Sequence, residues 1–547
     1  MSETPTADAP SERWQDRLPG ATRRGFLAAG AGGAIAAMLA ACGSQNSGGT
    51  AAKPGKGGSG GAARRGGTLR AGSPPPPTAV DPVTAYDGTS VALIQLVAEY
   101  LVWLDEDFKL VPKLATAWKS DPAAKVWTFT LRKGVTFSDG TPLDAAAVKA
   151  SFDRLLDPKN KSSALSAFDT VLGQGGVSAP DDSSVVFTLK RPFSDFPYLV
   201  SAGNYNAVIL KKDYAGNFTS KAIGTGPFLL KSYDLSTGAV FTRNPSYWDA
   251  PKPYLDGVDI TFFADDQADL VALQSGSIDV QVISQPDLVQ PLAAAGGDIT
   301  VDQVQSTGVT VLTLRTDKAP FDRKEVRQAV AYALDRPAIK TGVAAGVGDL
   351  GNDHLFAPLF PAAPKDIQQR AKDQAKVTQL LQTAGVGSLR FTLTFDPPNK
   401  NYAVTIQSQL KQVGITVDLD QRSSNDFYGG DQAKDTPWLF TTANLVAWAG
   451  RPVPSQFITP MVKSGAVWNG SKYANKALDD AADAYDAATT DTARAAQAEI
   501  IAKALHEDVP IIVSYWAGTV RAFNGRKFTG IKAHPSEFVD FSTVSQV

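Results

Sequence analysis

Three histidines, one cysteine and two adjacent aspartate pairs are the residues from which a catalytic or metal centre would have to be drawn. His354 sits in Asn352-Asp353-His354, a loop pattern, where it is either a metal ligand or a solvated surface side chain. His506 closes an Ala-rich stretch ahead of Val509-Pro510, a place where a protonated imidazole complements a helix dipole. His534 precedes Pro535 and shares no motif with the other two. In Asp265-Asp266 and Asp479-Asp480, adjacent side chains point to opposite faces of a strand or diverge by about 100° on a helix. Neither pair forms an acid–base dyad, and solvated surface is expected. There is no Gly-x-Ser-x-Gly, no His-Glu-x-x-His and no phosphate-cradling Gly-rich loop with a lysine. No catalytic residue, metal or cofactor is therefore expected, and the weight falls on binding.

The lone cysteine, Cys42, has a different chemistry open to it. Arg23-Arg24-Gly25-Phe26-Leu27 precedes a small-residue apolar stretch running to Ala41, the parts of a signal peptide. The paired arginines resemble a twin-arginine export signal. Leu39-Ala40-Ala41-Cys42-Gly43 resembles a lipobox, in which the cysteine is acylated and becomes the mature N-terminus. The alternative is a transmembrane anchor, but the run from Phe26 to Ala41 is short for that role, which takes roughly 20 residues. Residues 1–41 therefore read as a signal peptide and 42–66 as a lipid-anchored linker of Gly, Ser, Ala and Lys. Such a linker has a root-mean-square span of about 25–30 Å, enough to tether a folded body beside a membrane partner.

The elements that would carry a binding site lie beyond residue 66. A chain of 547 residues with 43% hydrophobic and 20% charged side chains buries several cores, and a net charge of −2 gives no basic surface for nucleic acid. Trp127, Phe129 and Leu131 alternate with polar residues, predicting a half-buried strand over 126–132; Val185, Phe187 and Leu189 predict a second. Asp144 is placed as the N-cap of a helix through Leu156, with Val148, Phe152 and Leu155 inward and Asp157-Pro158 as its stop. Phe391–Phe395, Tyr402–Val413 and Ile415–Leu419 read as strand, helix and strand, with Gly414 as the intervening cap. Helices are also predicted over 323–334, 476–485 and 492–505. The class is mixed α/β with several domains.

Several of these stretches, taken in order, resemble the extracellular solute-binding proteins of ABC importers for dipeptides, oligopeptides and nickel (family 5). They are Val111–Trp118, Trp127–Pro158, Gly224-Thr225-Gly226-Pro227-Phe228, Arg243-Asn244-Pro245-Ser246-Tyr247-Trp248, Leu273–Asp279 and Pro320–Val330 with Ala333–Arg336. The resemblance implies a type II periplasmic-binding-protein fold: two lobes with a hinge, plus an extra inserted domain. By that similarity lobe I takes 67–103, 224–316 and 513–547, the inserted domain 104–223 and lobe II 317–512. The hinge would run near Leu312–Thr316 and Ile512–Tyr515. The implied partners are a peptide or small organic solute, an ABC permease and the membrane, reached through the N-terminal lipid at the extracytoplasmic face. A monomer is expected.

In peptide-binding relatives the ligand is gripped like an added strand and its ammonium meets an aspartate in a Trp-x-x-Asp loop. The matching loop is Ala447-Trp448-Ala449-Gly450-Arg451, so Trp448 falls on the cleft tryptophan and Arg451 replaces the aspartate. A second family acid aligns with Pro76 and is also missing. Like charges about 4 Å apart near a surface repel by about 4 kcal/mol, so an α-ammonium at Arg451 is disfavoured while a carboxylate or acceptor cluster suits its planar fork. In the competing arrangement Arg451 faces solvent, and Asp426, Asp431 or Asp435 meets the ammonium. Tyr86, Tyr515 and Trp516 complete the candidate cleft wall. Outside binding proteins, the readings left open are an exported hydrolase or transferase and a sensory or adhesive surface protein.

Overall fold

The computed structural model describes residues 63–547 apart from 169 and 430–435. Arg23, Arg24, Cys42, Asp431 and Asp435 lie outside the described residues.

The period-two segment forms the strand Val126–Leu131, with Trp127, Phe129 and Leu131 buried. It sits in an antiparallel four-stranded sheet of Ala115–Ser120, Val126–Leu131, Ser184–Thr188 and Val177–Asp181, in that order. Helix Ala145–Leu156 covers this sheet, and Asp144 caps it by accepting from the Ala147 N–H at 2.8 Å. Phe152 meets Phe187 edge-to-face at 5.0 Å, joining helix to sheet.

Two larger sheets flank the prospective cleft. The first has seven strands in the order 299–305, 518–524, 280–281, 68–73, 257–262, 238–243 and 228–234. Thr68–Ser73 runs parallel to Gly257–Phe262. The second has five strands in the order 416–421, 390–395, 443–448, 309–314 and 511–513. Its strand–helix–strand unit is Arg390–Phe395, Lys400–Gln412 and Thr416–Gln421, with Gly414 in the left-handed conformation (φ +81°) that ends the helix.

The chain passes between the two sheets twice, and the crossing points differ from those expected. Val309–Leu314 pairs with Ala443–Trp448 and Ile511–Val513, deep in the second sheet, so neither Leu312 nor Ile512 lies at the crossing. The passages are Ser306–Gly308 and the segment around Ala517. They lie side by side: the Ser306 N–H donates to the Ala517 carbonyl at 3.0 Å, and the Ala517 N–H to Gly308 at 2.7 Å. Strand pairing rather than apolar content decides membership of a sheet, and the run from Val309 to Leu314 is equally apolar under either assignment.

Three of the stretches that carry the family resemblance converge on one buried carboxylate, Glu99, which is 3% exposed. It accepts from Thr225 Oγ1 (2.9 Å), Tyr247 Oη (2.8 Å) and Trp248 Nε1 (2.7 Å), and pairs with Lys113 Nζ at 3.2 Å. Gly224 and Gly226 are needed beside it. A Cβ on either would stand 2.1 or 2.6 Å from the Val97 backbone. Two further motif arginines are scaffold as well. Arg327 Nη1 donates to the Phe321 carbonyl at 2.6 Å, and the Nη2 of buried Arg336 donates to both carboxylate oxygens of Asp353 at 2.7 Å.

The histidine expectations change. His354 is buried, 6% exposed, its Nδ1 accepting from the Phe356 N–H; burial lowers its pKa to about 4. The Asn352–His354 loop is not solvated, because Asp353 is fixed between Arg336 and Arg370. His506 does end its helix, but burial, aided by Arg370, holds its pKa below the ordinary value, so the imidazolium–dipole role is not supported. Asp265 is a helix cap, accepting from the Ala268 N–H at 2.8 Å, and Asp480 pairs with Lys476 at 2.7 Å.

Candidate ligand cleft

The two crossing segments floor a cavity of about 310 Å³. Its first wall is the start of helix Gly88–Val97 with the segment Pro535–Phe538. A second part of the wall is the end of strand Ala443–Trp448 with the loop to Arg451, which meets the first at Gly450 beside the Pro535 carbonyl, and Tyr205 joins from the segment after the four-stranded sheet. Tyr86, Ala447, Trp448, Ala449, Arg451 and Tyr515, all proposed from the sequence, line this single cavity. Trp516 does not. It is 1% exposed, packs edge-to-face on Phe457 at 5.9 Å, and belongs to the core behind the wall. The reason is strand alternation: Tyr515 and Trp516 are neighbours in one strand and point to opposite faces.

Strand Ala443–Trp448 presents a free flank to the cavity. Only Ala443 and Asn444 pair with strand Arg390–Phe395, so from Leu445 to Trp448 the described strand neighbour is Val309–Leu314 alone. Ala447 and Ala449 are exposed, and the Tyr428 hydroxyl meets the Ala447 backbone. Such an edge can pair with an extended ligand. Trp448 stands edge-to-face with Trp468 at 5.7 Å, and its indole N–H has no described acceptor.

Arg451 is fixed at its backbone. The Thr307 hydroxyl donates to the Arg451 carbonyl at 2.7 Å and accepts from the Arg451 N–H at 2.8 Å, tying the loop to the first crossing segment. Among the described residues no hydrogen bond or ion pair engages the guanidinium. Burial lowers its pKa, with only Tyr205 opposing, yet an arginine keeps its charge. Asp426, the described member of the competing acids, is exposed, accepts from Ser423 Oγ at 2.7 Å and does not line the cavity.

Two acids that also line the cavity, Asp87 and Glu537, were not singled out from the sequence. Asp87 Oδ1 caps the helix by accepting from the Ser90 N–H at 2.8 Å, and its Oδ2 is buried with no described partner. Glu537 is exposed to the cavity in a left-handed backbone conformation (φ +62°), and burial by the surrounding walls raises its pKa, with Arg521 opposing. No periodicity or motif marks either residue. An Asp before Gly-Thr-Ser does suggest a helix cap, which is half of what Asp87 does. No group of three or more His, Cys, Asp or Glu among the described residues could hold a metal ion. No described helix is long and apolar enough to cross a membrane.

A lobed α/β scaffold with a charged cavity at its double crossing is the class of molecule these features define. The family model for bacterial extracellular solute-binding proteins, family 5 Middle, matches residues 109–469, and the chain belongs to that family. It is 31% identical over 317 residues to the "Probable D,D-dipeptide-binding periplasmic protein DdpA" of Escherichia coli, covering 56% of this chain and 60% of that one. It is 27% identical over 422 residues to glutathione-binding protein GsiB of Escherichia coli, covering 74% of this chain and 80% of that one. Among solved structures, it matches the Escherichia coli murein tripeptide binding protein MppA with a TM-score of 0.70 at 24% identity, covering 88% of this chain and 99% of that one. The binding protein AgaA of A. tumefaciens in complex with agropinic acid matches at 0.71 and 23%, again covering 88% and 99%. At these identities the structural likeness establishes the fold, the two-lobed type expected from the sequence.

Proposed function

We propose that the chain is the solute receptor of an ABC importer, capturing a peptide-like or other small organic solute in the 310 Å³ cleft and delivering it to a membrane permease. The observation that carries this reading is the Arg451 guanidinium, without a hydrogen bond or ion pair among the described residues, on the wall of a cavity that spans both crossings. A half-buried cation without a counter-charge suits a site that receives an anion. Closure about the crossings would complete the enclosure. No catalysis enters this reading; selective closure is the function. Cys42 carries the lipid that holds the receptor at the extracytoplasmic membrane face, after export directed by Arg23 and Arg24.

The test is a thermal-shift screen of the purified chain against free peptides, N-blocked peptides, dicarboxylates and nickel complexes, repeated on Arg451→Asp. A solute at about 100 times its dissociation constant stabilises by roughly 2.7 kcal/mol. The reading expects carboxylate-bearing solutes to shift the native chain and to lose that effect in the variant. A screen with no shift from any class would sink the receptor reading. Loss of palmitate incorporation in Cys42→Ser cells checks the anchor separately.

A further inference from the structure

We infer that two ion pairs outside the cavity, Arg191 with Asp486 and Asp195 with Arg494, form a latch that holds the cleft closed before any solute enters. The latch is a property of the unliganded chain; only its effect on solute affinity rests on the receptor reading above.

The chain forms two bodies with separate apolar interiors. Phe129 and Phe187 of the four-stranded sheet, with Phe152 of its helix, share one continuous core with Leu69, Val258 and Val280 of the seven-stranded sheet. Helices Lys476–Ala487 and Asp491–Asp508 belong to a different core, where Tyr485 and Ile501 meet Val446 of the five-stranded sheet. Of the ion pairs among the described residues, only these two join the first body to the second.

Local structure aims each pair. Asp195 stands at the N-cap position of the short helix Phe196–Leu199 but makes no cap bond there; its carboxylate accepts from Arg494 instead. The Arg494 guanidinium lies over the Tyr485 ring, 4.8 Å from its centroid, which steadies it on its own body. Asp486 Oδ2 accepts from Arg191 Nη1 at 2.7 Å, and its Oδ1 accepts from Ser455 Oγ. Asp486 also lies in the last turn of Lys476–Ala487, where carbonyls lack a partner within the helix. Its carbonyl accepts from the Ser194 N–H at 2.8 Å. Asp195 and Asp486 are 4% and 3% exposed. In an open cleft both acids would meet water; closed, each meets the arginine of the other body.

The latch continues the cavity wall outward. On the first body the chain runs from Asp195 through helix Phe196–Leu199 to Gly203 and Tyr205, which line the cavity. On the second, Ser455 comes four residues after Arg451. Between them, a Cβ on Gly203 would stand 2.6 Å from Pro452 Cγ. Opening about Ser306–Gly308 and Ala517 would part this flank. A contact made of charges and hydrogen bonds can separate and rehydrate without baring apolar surface, which suits a reversible interface.

Double electron–electron resonance tests the latch. Nitroxide labels are placed at Val126→Cys and Ile500→Cys, exposed positions on the two bodies, in a chain carrying Cys42→Ser. Separations are measured without solute on that chain, on Arg191→Gln/Arg494→Gln, on Arg494→Asp and on Asp195→Arg/Arg494→Asp. A short separation is expected in the starting chain and in the exchanged pair, and a longer one in the other two. Calorimetric titration with the solute that most stabilises the native chain should show roughly tenfold weaker binding by the glutamine variant, since affinity falls with the fraction of closed chain. Static packing would instead lower the melting temperature and leave the separation unchanged, which overturns the latch while the receptor reading stands. A long separation in the starting chain, or an exchange that fails to shorten it, overturns the latch as well. If the variants lengthen but no solute binds the native chain, the latch stands and the receptor reading falls. Should the glutamine variant not fold, the starting chain is followed from about 0.05 to 1 M salt, where screening weakens the pairs. Lengthening then supports the latch, and a fixed separation overturns it.

Discussion

Glu537 and Arg451 have opposite charges and line one cavity, and among the described residues neither side chain makes a hydrogen bond or a close ion pair, although Arg521 acts on Glu537 at longer range. Burial raises the Glu537 pKa, which gives a pH signature. Above its ordinary value and up to the raised one, the folded protein binds a proton that the unfolded chain has released. The group's contribution to stability therefore falls as pH rises through that window. Urea midpoints of the native chain should show that decline and Glu537→Gln should flatten it; an unchanged slope would contradict burial of the carboxyl group. Arg451 and Trp448 were legible only because a family pattern pointed to their loop; nothing in local spacing singles them out. Glu537 was not legible at all, because its importance comes from a turn held by Arg521 and Ser306, residues 16 and 231 positions away in sequence.

At the scale of elements, sequence patterns were read well where one segment decides its own structure. The alternation of Trp127, Phe129 and Leu131 became a strand, and Asp144 capped the predicted helix. The crossings were misplaced by several residues because they depend on which strands pair, a long-range fact. Trp516 was misjudged for a related reason: an aromatic beside a cleft residue in a strand faces away from it. The family-like motifs turned out to build scaffold rather than site. Thr225, Tyr247, Trp248 and Lys113 all serve Glu99. Replacing Glu99 by Gln keeps the shape but leaves Lys113 buried without its counter-charge, at a cost of about 3 kcal/mol or more. Urea unfolding followed by tryptophan fluorescence should show that loss, with solute affinity of the folded fraction little changed. A cost under about 0.5 kcal/mol would show that the knot is not stabilising.

Over the whole molecule, the segment 191–195, just after the four-stranded sheet, also reaches the helices on the second sheet's side. Arg191 pairs with Asp486 at 2.7 Å, the Ser194 N–H donates to the Asp486 carbonyl at 2.8 Å, and Arg494 pairs with Asp195. Acid should loosen the whole. His354 and His534 are buried, and burial lowers both to about 4 from an ordinary value near 6.5. Between those values the unfolded chain takes up protons that the folded protein refuses, so stability declines as pH falls from 6.5 towards 4. Each histidine contributes at most roughly 3 kcal/mol to that decline. Urea midpoints measured from pH 7 to 4.5 should fall, and His354→Phe should flatten part of the slope; an unchanged slope would contradict burial of a neutral ring.

The central claim is that the cavity between the sheets receives a solute through Arg451. Calorimetric titration of the native chain and Arg451→Gln with the solute that most stabilises the native chain tests it most directly. The account predicts at least a tenfold loss of affinity in the variant, with an unliganded melting temperature equal to or above that of the native chain, because a partly desolvated cation without a close counter-charge among the described residues has been removed. Unchanged affinity, or a loss that merely follows a destabilised fold, would contradict it.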